Sequence, residues 1–114
     1  MLSIQNSTLR MTRGDSAAID VAIMREDSDG TRTDYACAAD DVILFTARRA
    51  CGGAPQIEKR LAGETRIMLS PADTAHLSVG EYVYDVELRT AAGEVYTVAA
   101  GRLWLEGEVS VWRA

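Results

Sequence analysis

Residues 70–105 read SPADTAHLSVGEYVYDVELRTAAGEVYTVAAGRLWL, a run in which a helix start, a strand, a tight turn and a second strand follow without a gap. Ser70 stands where an N-cap belongs, Pro71 takes the first helical position, whose N–H has no partner in any helix, and Asp73 is placed to close a capping box. Val79 and Gly80 end this helix within two turns. Tyr82, Tyr84, Val86 and Leu88 then alternate with Val83, Asp85, Glu87 and Arg89, which predicts an antiparallel strand with one dry and one wet face. Ala91, Ala92 and Gly93 form a hairpin loop whose glycine suits the left-handed position of a bulge. In the returning strand the apolar residues fall on even numbers at Tyr96 and Val98 but on odd numbers at Leu103 and Leu105. A register change near Gly101 reconciles the halves and leaves Trp104 and Arg102 pointing away from the core.

The upstream chain reads as material that covers this hairpin. Leu2, Ile4, Leu9 and Met11 predict an opening strand interrupted around residues 5–8, and Arg13-Gly14-Asp15 is read as a turn rather than as a receptor-binding tripeptide. Ile19, Val21 and Ile23 predict a second strand. Residues 26–34 form a polar hairpin loop around Asp29-Gly30; Asp27, Asp29 and Asp34 offer oxygens to Ca²⁺, but the spacing lacks the closing bidentate Glu. After a crossing at residues 35–41, residues 42–49 make a third strand, apolar on both faces at its start and therefore central. Ile57, Lys59 and Leu61, and then Ile67 and Leu69, read as edge strands whose charges discourage unwanted pairing. Val109, Val111 and Trp112 bring the chain to a last apolar stretch.

At 114 residues, 47% hydrophobic and 25% charged, the chain fits a single domain over 1–114 with one core. A net charge of −5 disfavours nucleic acid and anionic membrane surfaces as partners. The charge is uneven: residues 48–66 carry five cations (Arg48, Arg49, Lys59, Arg60, Arg66) against Glu58 and Glu64. That cluster is either a solvated edge or a basic patch meeting an acidic face of a neighbouring copy. No signal peptide or membrane-spanning run is expected. Cys37 and Cys51 flank the third strand; free thiols are the expectation, and spacing alone leaves a bridge open.

Catalytic chemistry finds few parts. His76 has no Cys or carboxylate at ligand spacing, so neither a zinc site nor a hydrolytic triad is assembled around it. Asp40 and Asp41 are adjacent but come with no cleft signature, which makes a small hydrolase the weakest of the readings. No cofactor motif is present.

Across nearly the whole chain the order of features resembles the small immunoglobulin-like β-sandwich domains of bacteriophage tails, in particular the N-terminal domain of phage baseplate upper proteins. The residues that carry the likeness are L-x-M-T-R-G-D at 9–15, the strands at 19–23 and 42–47, the Asp29-Gly30 hairpin, LSPADTAHLSVGEYVYDVEL at 69–88 and AAGEVYTVAAGRLWL at 91–105. The resemblance implies an all-β, immunoglobulin-like antiparallel sandwich of about seven strands with one short helix. It further implies a structural, non-catalytic module of a phage or prophage tail, located in the virion or, during assembly, in the host cytoplasm. Such a module docks to other virion proteins and often assembles with copies of itself. Trp104, Trp112 and the basic edge of Arg48, Arg49, Lys59 and Arg60 are the expected contact residues, because exposed Trp beside Arg is typical of binding surfaces. The alternative is a bacterial surface or carbohydrate-binding β-sandwich.

Overall fold

The computed structural model describes Leu2 and residues 5–110, so Val111 and Trp112 lie outside the described residues. Apart from one turn of helix the fold is all-β. In chain order the elements are β1 (Gln5–Asn6), β2 (Leu9–Thr12), β3 (Ala17–Asp20), β4 (Met24–Glu26), β5 (Arg32–Asp34), β6 (Val42–Arg48), β7 (Pro55–Ala62), β8 (Arg66–Leu69), α1 (Pro71–Thr74), β9 (Gly80–Arg89) and β10 (Val95–Glu106).

The main sheet runs β1-β10-β9-β6-β7, with β2 continuing alongside β10 after β1. β1 and β2 lie parallel to β10, whereas β10–β9, β9–β6 and β6–β7 are antiparallel, so the sheet is mixed and not antiparallel throughout as expected, because the opening segments run in the same direction as the last strand they flank; the described residues form ten strands in place of about seven. The hairpin expected from residues 80–105 is its centre. Strands β3 and β8 pair separately, as do β4 and β5, and Leu2 bridges to Arg25.

Alternation decides which face is dry. Tyr82, Tyr84, Val86 and Leu88 of β9, Ile43, Phe45 and Ala47 of β6, and Val98, Leu103 and Leu105 of β10 are buried in one cluster with Ile67 and Leu69 of β8. The β3–β8 ladder therefore covers the inner face of the main sheet. Phe45 and Tyr84 stack with ring centroids 5.6 Å apart, the geometry aromatic pairs favour. Each fully buried Ile, Leu or Phe contributes about 1.5–3 kcal/mol relative to an exposed one. The β6 segment is rich in β-branched and aromatic residues and sits between β9 and β7, matching its expected central position.

Four local details differ from the sequence expectation. The strand expected at 19–23 ends at Asp20; Val21 and Ile23 stay buried, while the Val21 N–H donates to the Thr65 carbonyl and the Ile23 carbonyl accepts from Tyr35 N–H. Of the opening strand's expected members Ile4 lies outside the described residues; from Gln5 on, Gln5–Asn6 is paired and the interruption is confined to Ser7 and Thr8. The helix is a single turn: its last residue, Thr74, is buried and its Oγ1 accepts the Gly14 N–H at 2.8 Å, which directs the chain inward to bury Leu77. The register change in β10 lies between Thr97 and Ala99, with Val98 as the extra residue, and not at Gly101. Gly101 is small for another reason: a Cβ there would overlap the Ser7 carbonyl oxygen and stand 3.0 Å from its carbon. Its role is to admit the close approach of a neighbouring backbone.

Two buried tyrosines anchor the corners of this scaffold. The Tyr82 hydroxyl donates to the Ser78 carbonyl at 2.6 Å, four residues back, pinning the entry into β9. The Tyr84 hydroxyl donates to the Ser7 carbonyl at 2.7 Å, fastening the break between β1 and β2 to the sheet. At α1, the Asp73 carboxylate accepts from the Ser70 N–H (2.7 Å), the N-cap half of a capping box, and also from Ser70 Oγ (3.1 Å).

Candidate protein-interaction surface

Residues paired directly across neighbouring strands share a face. The outward face of the main sheet can therefore be followed strand by strand. Trp104 lies between Arg10 of β2 and Glu81 of β9; Arg102 is opposite Val83, which is opposite Arg48; Asp85 faces Thr46; Glu87 faces Leu44, which faces Arg60 of β7. Val42, Leu44, Val83 and Trp104 are half-buried on this side, so the face carries apolar surface among charges.

Trp104 stands out of the core as its neighbours Leu103 and Leu105 go in. The Arg10 guanidinium lies over the indole at 5.5 Å. Arg10 pairs with Glu106 at 3.2 Å and Arg102 with Glu81 at 3.1 Å, so the indole is ringed by two ion pairs. Arg10 had no role in the sequence reading. Its position beside Trp104 depends on parallel pairing between chain segments almost a chain length apart.

The basic edge does not form one patch. Arg48 donates to the Gly53 carbonyl of its own loop. Arg49 lies over the Tyr82 ring at 4.7 Å, and its Nη1 donates to the Glu81 carbonyl at 3.2 Å. Gly80, at φ +131°, leaves room for that guanidinium, since a Cβ would stand 3.0 Å from Nη1. Lys59 Nζ lies 2.9 Å from Asp73 Oδ2. Partial burial pushes the Asp73 carboxyl up, but the Lys59 ammonium and the Ser70 donors outweigh it and hold the group below its ordinary value. Arg60 is exposed and makes no ion pair among the described residues. Trp112 is outside the described residues.

Between Trp104 and the β7 edge, the loop joining β6 to β7 overhangs an open cleft of about 450 Å³ lined by Thr46, Arg48, Cys51, Val83, Asp85 and Gly101, among others. Burial raises the Asp85 carboxyl above its ordinary value, and Arg48 offsets this only in part. At one end of the fold a second groove of about 470 Å³ is lined by Arg25, Tyr35, Asp41, Glu94 and Tyr96, among others. Its polar groups are paired with one another: the Tyr35 hydroxyl donates to Asp41 at 2.7 Å, Tyr96 bonds Glu94, and the Arg25 guanidinium covers the Tyr35 ring at 5.3 Å.

The remaining candidates are locally occupied. Arg13 forms a two-bond fork with Glu108 (3.1 and 2.7 Å) and donates to the Leu77 carbonyl at 3.1 Å, while Gly14 takes φ +82°, so this tripeptide is a turn fastened to the end of β10. The Asp29 carboxylate accepts the Thr31 N–H at 2.9 Å, which lowers its pKa and closes the β4–β5 loop. Asp41 is buried and accepts from Tyr35 and from the Ala38 N–H, whereas Asp40 and His76 are exposed. Cys37 and Cys51 are free thiols; burial, then Asp41, pushes the Cys37 thiol up. Among the described residues no group of three or more His, Cys, Asp or Glu is placed to hold a metal ion, and no helix is long and apolar enough to cross a membrane. No family model, curated protein or solved structure matches the chain significantly.

Proposed function

We propose that this chain is an immunoglobulin-like sandwich serving as a structural, non-catalytic assembly module of a phage or prophage tail, acting through protein contacts on the outward face of its main sheet. The fold part of this reading draws support from the Tyr82–Ser78 hydrogen bond, because a tyrosine at the start of the penultimate strand bonded to backbone just upstream is a hallmark of such sandwiches. The functional part rests on Trp104, which stands half-exposed on a sheet face with Arg10 stacked over it while both its neighbours are buried. A large aromatic held rigidly beside arginine is what protein-binding surfaces use as an anchor. The groove at Tyr35 and Tyr96 gives less support to a carbohydrate-binding role, since Arg25 already covers the face of Tyr35 that a sugar ring would stack on.

The test is to mix the purified chain with the tail proteins encoded beside its gene and weigh the products by native mass spectrometry. A complex of fixed stoichiometry, weakened by Trp104→Ala, is expected. A chain that combines with none of them, or a complex indifferent to Trp104, sinks the proposal.

A further inference from the structure

The main sheet has two edges, and they are unlike. One, formed by β1 and β2, is broken at Ser7–Thr8. The other, β7, spans Pro55–Ala62 with one register irregularity near its start, opposite Ala47 and Arg48, and among the described residues pairs only with β6, so beyond that irregularity its far side presents a row of unpaired backbone donors and acceptors. Such an edge is a template for another strand unless something blocks it. The usual block is a charge pointing into the sheet's dry side. Lys59 occupies that position, paired with Phe45 on the inner face, but Asp73 already neutralises it at 2.9 Å.

We propose that β7 is a self-complementary docking edge at which a second copy of this chain adds antiparallel about a two-fold axis through Lys59. Two-fold antiparallel pairing that keeps both inner faces on the same side requires paired residues of equal parity, which limits the registers to a few. Centring on Glu58 sets that carboxylate against itself, and centring on Arg60 does the same to the guanidinium. Centring on Lys59 places Glu58 of each copy opposite Arg60 of the other, twice over, on the outward face. The same register sets Ile57 opposite Leu61, also twice, on the inward face.

The side chains fit this use. Glu58 and Arg60 are both exposed, and neither has an ion-pair partner among the described residues. Ile57 is buried and Leu61 half-buried, so the apolar pair would extend the existing core across the axis. Lys59 faces its own symmetry mate, a repulsion that the Asp73 carboxylate of each copy screens. The result is one continuous sheet through two molecules, with Trp104 left uncovered on the far side of each half. This deepens the assembly reading above and rests on it only for biological purpose, since the pairing itself is a property of β7.

Charge reversal tests it directly on the full chain. Sedimentation equilibrium of the wild type is expected to show a monomer–dimer equilibrium. Glu58→Arg and Arg60→Glu should each replace two attractive cross-strand pairs by two repulsive ones and raise the dimer dissociation constant about tenfold or more. Mixing the two variants should regenerate a one-to-one heterodimer, because each then supplies the charge the other lacks, and the double swap should dimerise like the wild type. A wild type that stays monomeric at high concentration overturns the proposal. So does a dimer that ignores these substitutions, or a pair of variants that fails to combine. A monomeric wild type that still binds tail proteins removes the edge pairing and leaves the assembly reading standing; a charge-sensitive dimer without a tail partner does the reverse.

Discussion

The Tyr84 hydroxyl lies 2.7 Å from the carbonyl oxygen of Ser7, a bond between residues 77 positions apart that fastens the first strand segment to the centre of the sheet. Gly101 completes this junction, because only a residue without a Cβ lets the Ser7 carbonyl approach β10 this closely. Replacing Gly101 with Ala is therefore expected to destabilise the protein by about 3 kcal/mol, at the upper end of overpacking costs, since the obstructing atoms are backbone. The paired segments Gln5–Asn6 and Leu9–Thr12 should lose hydrogen-exchange protection while the β9–β6 ladder keeps its own. Unfolding in urea together with exchange mass spectrometry reads both.

The two tyrosine hydroxyls are separable. Tyr84→Phe leaves the ring stacked on Phe45 but removes the donor to Ser7, and Tyr82→Phe removes the donor to Ser78. Each change should lower stability by about 1–2 kcal/mol, seen as a lower urea midpoint at an unchanged slope. Exchange should also tell them apart: Tyr84→Phe loosens the opening strand, Tyr82→Phe the corner between α1 and β9.

Asp85 and Asp73 are expected to act on stability with opposite signs of pH dependence. Burial raises the Asp85 carboxyl in the folded state, so the native protein holds that proton more tightly, and stability falls as pH rises from the unfolded-state value of about 4 through the folded value. Asp85→Asn should therefore raise the melting temperature at neutral pH, with the gain vanishing in acid. A variant that melts lower at neutral pH would show that the Arg48 attraction outweighs burial.

For Asp73 the folded value is depressed, so its contribution is present above the unfolded value and is lost as pH falls through the folded one. Lys59→Met should shrink the acid-induced loss of stability, because the ammonium is one of the groups holding Asp73 ionised. Melting curves between neutral and strongly acidic pH provide the check.

Arg13 should tolerate no cationic stand-in. Its guanidinium spans both Glu108 oxygens and the Leu77 carbonyl, a fork that a lysine ammonium does not reproduce. Arg13→Lys is expected to melt below the wild type, and Arg13→Ala lower still, in thermal denaturation.

Much of this molecule was legible along the chain because its evidence is local. The alternation Tyr82-Tyr84-Val86-Leu88 has the period of a pleated strand, Gly93 occupies the left-handed position its hairpin loop demands, and Ser70 and Asp73 cap a helix within reach of each other. Burial of Leu103 and Leu105 with Trp104 turned outward follows from the same period. What the chain alone could not place were relations among segments distant in sequence. The opening strand lies parallel to the last one, setting Arg10 over Trp104 and Ser7 against Gly101. A run of cations read as one edge was divided, with Arg48 and Arg49 turned to their own backbone, Lys59 to Asp73 and only Arg60 left free among the described residues. Periodicity reports which way a side chain points within its own strand; which strand lies alongside is set by how apolar faces from distant segments close on one core, and that is a property of the folded whole.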